Sequence, residues 1–146
     1  MSLNSQILLS LLTHEASSGD LTQSLRVTPV SYSAILDDTQ AQVTWSDSRT
    51  LSGASNVINA SSLSDERGTV TMTALKAVYL KNTSTAALTA TPSPAGAFGG
   101  TYTIRPGGAA VAVASDATGL SVGTLTVAGS SGQTYDVVLI GEGTVS

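Results

Sequence analysis

Few side chains in this sequence have the types and spacing that catalysis requires. The single histidine, His14, is followed directly by Glu15, and no serine in the chain lies in a GxSxG context. A Ser-His-acid triad needs a nucleophile held on such a sharp turn beside the base. The sequence therefore gives no support to a catalytic role for His14.

Two pairs of neighbouring acids, Asp37 with Asp38 and Asp65 with Glu66, are the next candidates. Glycoside hydrolysis needs two carboxyl groups about 5 to 9 Å apart across a cleft, whereas adjacent strand residues point to opposite faces. The chain has no DxDxDG pattern for calcium, and its glycine pairs have no lysine-serine pair after them for phosphate. We interpret these acids as turn and loop residues and assign no catalytic, cofactor-binding or metal-binding residue.

Asp47 and Arg49, in the segment WSDSRTL, have the spacing of residues on one face of a strand. They are candidates for a structural clamp. Arg49 has a second choice of partner, because Asp65 and Glu66 lie across the long polar connection between Thr50 and Gly68. A bidentate contact there would fix that connection in place. The alternative is a solvated surface pair that contributes little.

Six aromatic residues bear on carbohydrate binding, which commonly uses exposed rings. Most of them fall in predicted strands, and Trp45 follows Ala41 and Val43 in strict alternation, so we expect its side chain to point inward. Phe98 differs, because it lies in the Pro/Gly-rich segment TPSPAGAFGG, which predicts an exposed tip. Phe98 is therefore a candidate partner-contact residue.

Composition limits the partners. The chain has 146 residues, the size of one domain. Charged residues make up 11%, against about 25% in typical domains, and so little charge favours self-association. The net charge of −4 and the scattered basic residues argue against nucleic acid. The apolar run from Ile7 to Leu12 is too short for a membrane span. We expect no nucleic acid, membrane or cofactor.

The pattern from Leu21 onward predicts an all-β fold, a β-sandwich or jelly-roll-like arrangement of antiparallel sheets over residues 21–146. The central strand is expected at Val70 to Lys81, where apolar residues keep one parity. Its other parity is also partly apolar. Either a second sheet and a neighbouring subunit cover both faces, or a bulge near Lys76 swaps them. The candidate strands are Leu25–Tyr32, Gln40–Ser46, Val70–Lys81, Leu88–Thr91, Thr101–Ile104, Ala109–Ala114, Leu120–Val127 and Tyr135–Ile140.

We expect residues 1–20 to form a separate N-terminal arm or short helix. Its apolar residues Ile7, Leu8, Leu11 and Leu12 fall on one stripe at helical spacing. The helix would cap the sandwich, or the arm would dock on another subunit. Under the second alternative these four residues are candidate partner contacts.

Four segments taken together resemble a family of small virion proteins of tailed bacteriophages: WSDSRTL, LSDERG, KAVYLKNTS, and RPGG followed by YDVVLIGEG. The resemblance covers roughly Thr44 to Gly143. It implies a jelly-roll-like structural protein of the particle. The role implied is that of a capsid decoration or cement protein, present as homotrimers on the capsid surface of the virion, bound to the major capsid protein or another virion protein, and made in the host cytoplasm.

Two functions from different classes follow. The first is a non-enzymatic structural module that self-associates and staples coat subunits through apolar burial and strand-edge contacts. The second is a receptor-binding or carbohydrate-binding tip of a phage fibre or tail, in which Phe98 meets a glycan. An enzyme is disfavoured, because no constellation supplies a base, a nucleophile or a metal.

Overall fold

The computed structural model describes residues 5–11, 14–15, 25–26, 30–36, 41–96, 99–121 and 123–146. The described chain is all-β and every strand pairing in it is antiparallel, which confirms the predicted sandwich-like class. Its strands are β1 Ser5–Leu11, β2 His14–Glu15, β3 Leu25–Arg26, β4 Val30–Leu36, β5 Val43–Thr50, β6 Ser55–Asn59, β7 Leu63–Asp65, β8 Gly68–Asn82, β9 Leu88–Ser93, β10 Tyr102–Ile104, β11 Ala109–Val113, β12 Thr124–Ala128 and β13 Thr134–Val145.

Two sheets enclose one main core. The larger has the order β11-β8-β13-β5, with β7 paired to β8, and the smaller has the order β10-β9-β12-β6. Alternate residues from both sheets meet in one buried cluster, including Trp45 of β5, Ile58 of β6, Val127 of β12 and Tyr135 of β13. Trp45 is 2% exposed, so the inward orientation expected for it is confirmed.

The pair β8–β13 forms the middle of the larger sheet, but its register shifts twice. Ile140 lies opposite Ala77 while Gly141 lies opposite Leu75, so Lys76 is an extra residue in β8. A second shift makes Thr73 an extra residue in the same way, since Glu142 lies opposite Ala74 and Gly143 lies opposite Met72. The bulge raised as an alternative near Lys76 is therefore confirmed. Each extra residue reverses the face on which the following side chains lie.

The two shifts explain which side chains of β8 reach the core. Val70 and Met72, which precede Thr73, face the core. Leu75 faces it between Thr73 and Lys76, and Val78 and Leu80 face it after Lys76. Glycine is required opposite, because a Cβ on Gly141 would lie 2.3 Å from the carbonyl oxygen of Ala74. β8 thus contributes to the core along its whole length without needing one uninterrupted parity.

The side chain of the bulged Lys76 bonds to the loop at residues 116–117. Its side chain is 1% exposed, and its ammonium donates to the carbonyl oxygens of Asp116 and, at 3.1 Å, Ala117. It also pairs with Glu142 of β13, with Nζ 2.8 Å from Oε1. Three donors meet three acceptors, so the buried charge is fully compensated.

Asn82, at the end of β8, is a second buried polar anchor and is 0% exposed. Its Nδ2 donates to the carbonyl oxygens of Ala86 (2.8 Å) and Ile104 (2.9 Å). Its Oδ1 accepts from the backbone N–H of Ser84 at 2.9 Å and from the Ser84 hydroxyl at 2.6 Å. The backbone of Asn82 also bonds to Gly107 and Gly108 of the RPGG turn. The side chain and backbone of Asn82 together therefore hold the turn between β8 and β9 and the turn between β10 and β11.

Two expectations are corrected. The connection from Thr50 to Gly68 is not a long loop, since it contains β6 and β7. Ile58 and Leu63 are buried there, whereas Val57 is 59% exposed. The N-terminal segment does not form a helix over Ser5–Leu11, which is β1 and pairs with β4. Short apolar runs satisfy both helical and strand patterns, and here pairing with β4 decides.

Replacing Asn82 with alanine should lower the free energy of unfolding by roughly 3 kcal/mol, because several buried groups lose their hydrogen-bond partner together. Asn59 provides a matched control, since its Oδ1 makes the same pair of bonds to Ser61 in an exposed turn. Asn59→Ala should cost less than about 1 kcal/mol. Urea denaturation of both variants measures the difference, and equal costs would show that burial of Asn82 is unimportant.

Candidate functional site

A groove of about 690 Å³ lies at the β5 edge of the larger sheet. Two stretches line it, residues 44–47 of β5 and residues 64–67 around the turn from β7 to β8. It brings together the acids of two motifs singled out in the sequence, Asp47 of WSDSRTL and Asp65 and Glu66 of LSDERG. The groove is therefore the place to test the predicted clamp.

Arg67 is the residue that joins the two walls. Its Nε lies 3.0 Å from Asp65 Oδ2, and its Nη2 donates to the same oxygen and, at 2.9 Å, to the carbonyl oxygen of Thr44. Trp45 adds a second link, since its Nε1 donates to the carbonyl oxygen of Ser64 at 2.9 Å. The β7–β8 turn is thereby fixed onto edge strand β5, by a fork geometry that suits arginine.

Arg49 and Asp47 form an ion pair, with Arg49 Nε 2.8 Å from Asp47 Oδ2. Both residues lie on β5, so this pair does not cross to the β7–β8 turn. Asp65, the other partner considered for Arg49, pairs with Arg67. The Arg49 guanidinium also lies 5.1 Å from the centre of the Trp45 ring, within the range of a cation–π contact.

Asp65 and Arg67 shift each other's pKa. Hydrogen bonds from Arg67 hold the pKa of Asp65 below its ordinary value of 3.8, and Asp65 raises the pKa of Arg67. Asp65 is therefore ionised at neutral pH and serves as an acceptor. A general acid needs the opposite shift, towards the working pH, so this carboxyl is tuned for binding an arginine.

The groove offers no arrangement for catalysis within the described residues. Its hydroxyl groups, on Thr44, Ser46 and Ser64, have no histidine beside them, and nucleophilic catalysis needs such a base. The described ranges also hold no group of three or more His, Asp or Glu side chains placed to bind a metal. The arrangement is suited to holding two chain segments together.

The remaining candidates are spread over the chain. Ile7, Leu8 and Leu11 lie on β1, where the Leu8 side chain is 66% exposed. Leu12 and Phe98 lie outside the described residues. His14 belongs to β2 and is placed opposite Arg26 of β3 by the strand register. None of the described residues among these candidates lines the groove.

Sequence reasoning missed Arg67, Lys76 and Asn82 as anchors. Lys76 and Asn82 sit among strand residues in KAVYLKNTS, and buried lysine or asparagine is uncommon enough that a solvated side chain is the default expectation. A usable signal existed for Arg67, since Asp65 two residues earlier is spaced to accept both its backbone N–H and its guanidinium. The partner carbonyl of Thr44 is set by tertiary structure alone.

Comparison with known proteins adds no relative. No protein-family model matches the chain, and neither a characterised protein nor a solved structure matches it. The resemblance to tailed-phage virion proteins therefore stays a prediction. A search of the described ranges finds no helix with the length and apolarity needed to cross a bilayer.

Stability should depend on acid pH through Asp65. Because its folded pKa lies below the ordinary 3.8, its contribution is present above that value and is lost as pH falls through the folded pKa. NMR titration should give Asp65 a midpoint below 3.8, and Arg67→Ala should move the midpoint upward. Arg49→Ala is the matched control and should leave it in place. A midpoint unchanged by Arg67→Ala would contradict the assigned pair.

Proposed function

We propose that this protein is a non-enzymatic structural component of a tailed-bacteriophage particle, a capsid decoration or cement protein that stabilises the shell. It binds the major capsid protein or another virion protein and associates with further copies of itself on the capsid surface. The homotrimer implied by the resemblance belongs to the same hypothesis. Binding of this kind uses apolar burial and strand-edge contacts and needs no titrating group.

The main support for the proposal is that side chains of the segments resembling virion proteins connect strands and turns of the fold. Trp45 and Arg67 join β5 to the β7–β8 turn, and Lys76 joins β13 to the 116–117 loop. Asn82 holds the turn after β8 and the RPGG turn after β10. The segments that resemble virion proteins are thus the ones that maintain the scaffold. This favours a structural role over a binding cleft or a reaction centre.

Attachment to the shell is assigned to the N-terminal arm. Leu8 on β1 is the most exposed large hydrophobic residue among those whose exposure is described, at 66%. A side chain of this kind gains about 1.5 to 3 kcal/mol when a partner covers it fully. Leu8 therefore offers apolar surface that the described part of the fold leaves uncovered.

Leu8→Asp should weaken binding to capsids that lack this protein by about tenfold or more, since an apolar contact is lost and a charge is buried against the shell. Val57→Asp is the control, because Val57 is similarly exposed, at 59%, on a strand of the other sheet. Co-sedimentation with capsids, followed over a concentration series, measures both affinities.

Deletion of residues 1–20 extends the test. It should abolish attachment while circular dichroism still reports a β-rich fold, since the core cluster lies in residues 43–139. Unchanged affinity of the deletion variant for capsids would reject the arm as the attachment element. Failure of the full-length protein to bind any virion component would reject the proposed function itself.

A further inference from the structure

Strand β11 is an exposed edge of the larger sheet. It pairs with β8 on one side and ends the strand order there. The bond from Asn82 N–H to the carbonyl of Gly108 and the bond from Ala114 N–H to the carbonyl of Lys76 mark the even-numbered residues as those bonded to β8. By the alternation of antiparallel pairing, the N–H and C=O groups of Ala109, Val111 and Val113 point to the open side.

The described residues give this edge no charge, no proline and no covering strand. Its sequence AAVAV contains no charge and no proline, and the described residues place no backbone partner on its open side. The opposite edge, β5, differs, since the guanidinium of Arg67 caps its Thr44 carbonyl. Long apolar edges without charge, proline or a cover are sites of pairing with another chain.

Apolar surface continues from the edge onto the outer face of the sheet. Val111, 46% exposed, lies directly opposite Tyr79 of β8, which is 37% exposed. Ala110 and Ala112 turn inward against the main core. The edge thus presents backbone groups in its plane and larger side chains on one face, which are the two elements of strand addition.

We infer that β11 pairs with β11 of a second copy of this chain, antiparallel and centred on Val111, so that the two larger sheets become one. Charge distribution selects this partner and this direction. Exposed Arg105 precedes β11 and exposed Asp116 follows it. Antiparallel pairing brings Arg105 of each copy to the end that carries the partner's Asp116, whereas parallel pairing would place like charges together.

A two-fold pairing gives a dimer, in place of the trimer that the resemblance implies. The pairing does not depend on attachment to a capsid, so attachment and pairing can each fail or hold separately; a dimer would replace only the trimer of the proposed function. Closed two-fold association through one self-complementary surface is the commonest form of homo-oligomer.

The solution mass of the full-length protein tests the pairing. We expect a mass twice the chain mass of 14.6 kDa, and we expect Val111→Lys to give the mass of one chain, because the two-fold axis would place two ammonium groups side by side. Val57→Lys, on an exposed residue of the other sheet, should leave the dimer intact. A wild-type monomer or trimer, or a Val111→Lys variant with the wild-type mass, would overturn the inference.

Cysteine cross-linking gives a second readout that does not depend on destabilising the interface. The chain has no cysteine, so Val111→Cys introduces a single thiol opposite itself. Residues bonded across an antiparallel pair have Cα atoms about 5.5 Å apart, which suits a disulfide. Oxidation should convert most of this variant to covalent dimer and leave Val57→Cys without a covalent cross-link. Equal cross-linking of both variants, or none at Val111→Cys, would also overturn the inference.

Discussion

The structure depends on the pairing of β8 with β13. β8 is 15 residues long and β13 is 12, and on their outer sides they carry β11 and β5. A strand of this length would turn half of its side chains away from the core if its alternation were uninterrupted. The extra residues Thr73 and Lys76 change the facing of β8 twice. The apolar residues of both strand ends and of the segment between them then meet the same core.

The polar residues of the scaffold are used mainly to keep this arrangement in place. A polar or charged side chain can be buried only where its hydrogen bonds are complete. Lys76 meets that condition with two carbonyl oxygens and Glu142, and Asn82 meets it with four hydrogen bonds of its side chain. Such side chains are occupied by the fold. The large apolar side chains that the described residues leave exposed are those of Leu8, Val57, Tyr79, Tyr102, Val111 and Val145.

Alternation in the sequence was enough to predict the all-β class, the central position of β8 and the inward orientation of Trp45. It was not enough for Ser5–Leu11, because a run of seven residues with several leucines and an isoleucine fits a helix and a strand equally, and strand β4 settles the choice. The connection before Gly68 was taken for a loop because Ser and Asn dominate it, yet β12 and β8 each pair with a part of it. In the groove the acids were identified but their partner was not, since the bond from Arg67 to the Thr44 carbonyl is made only in the folded chain.

The central claim is that the bulged, buried Lys76 holds the β8–β13 pair and the 116–117 loop together. The unfolding free energy of Lys76→Met, compared with Lys81→Met on the same strand, tests it most directly. We expect Lys76→Met to lower the free energy of unfolding by about 2 kcal/mol, because two carbonyl oxygens and Glu142 lose their donor. Lys81→Met should lower it by less than about 0.5 kcal/mol. Buried ion pairs in other proteins can be replaced by apolar side chains without loss. Because such an outcome is possible here, a Lys76→Met protein as stable as the wild type would show that Lys76 does not hold the β8–β13 pair and the 116–117 loop together.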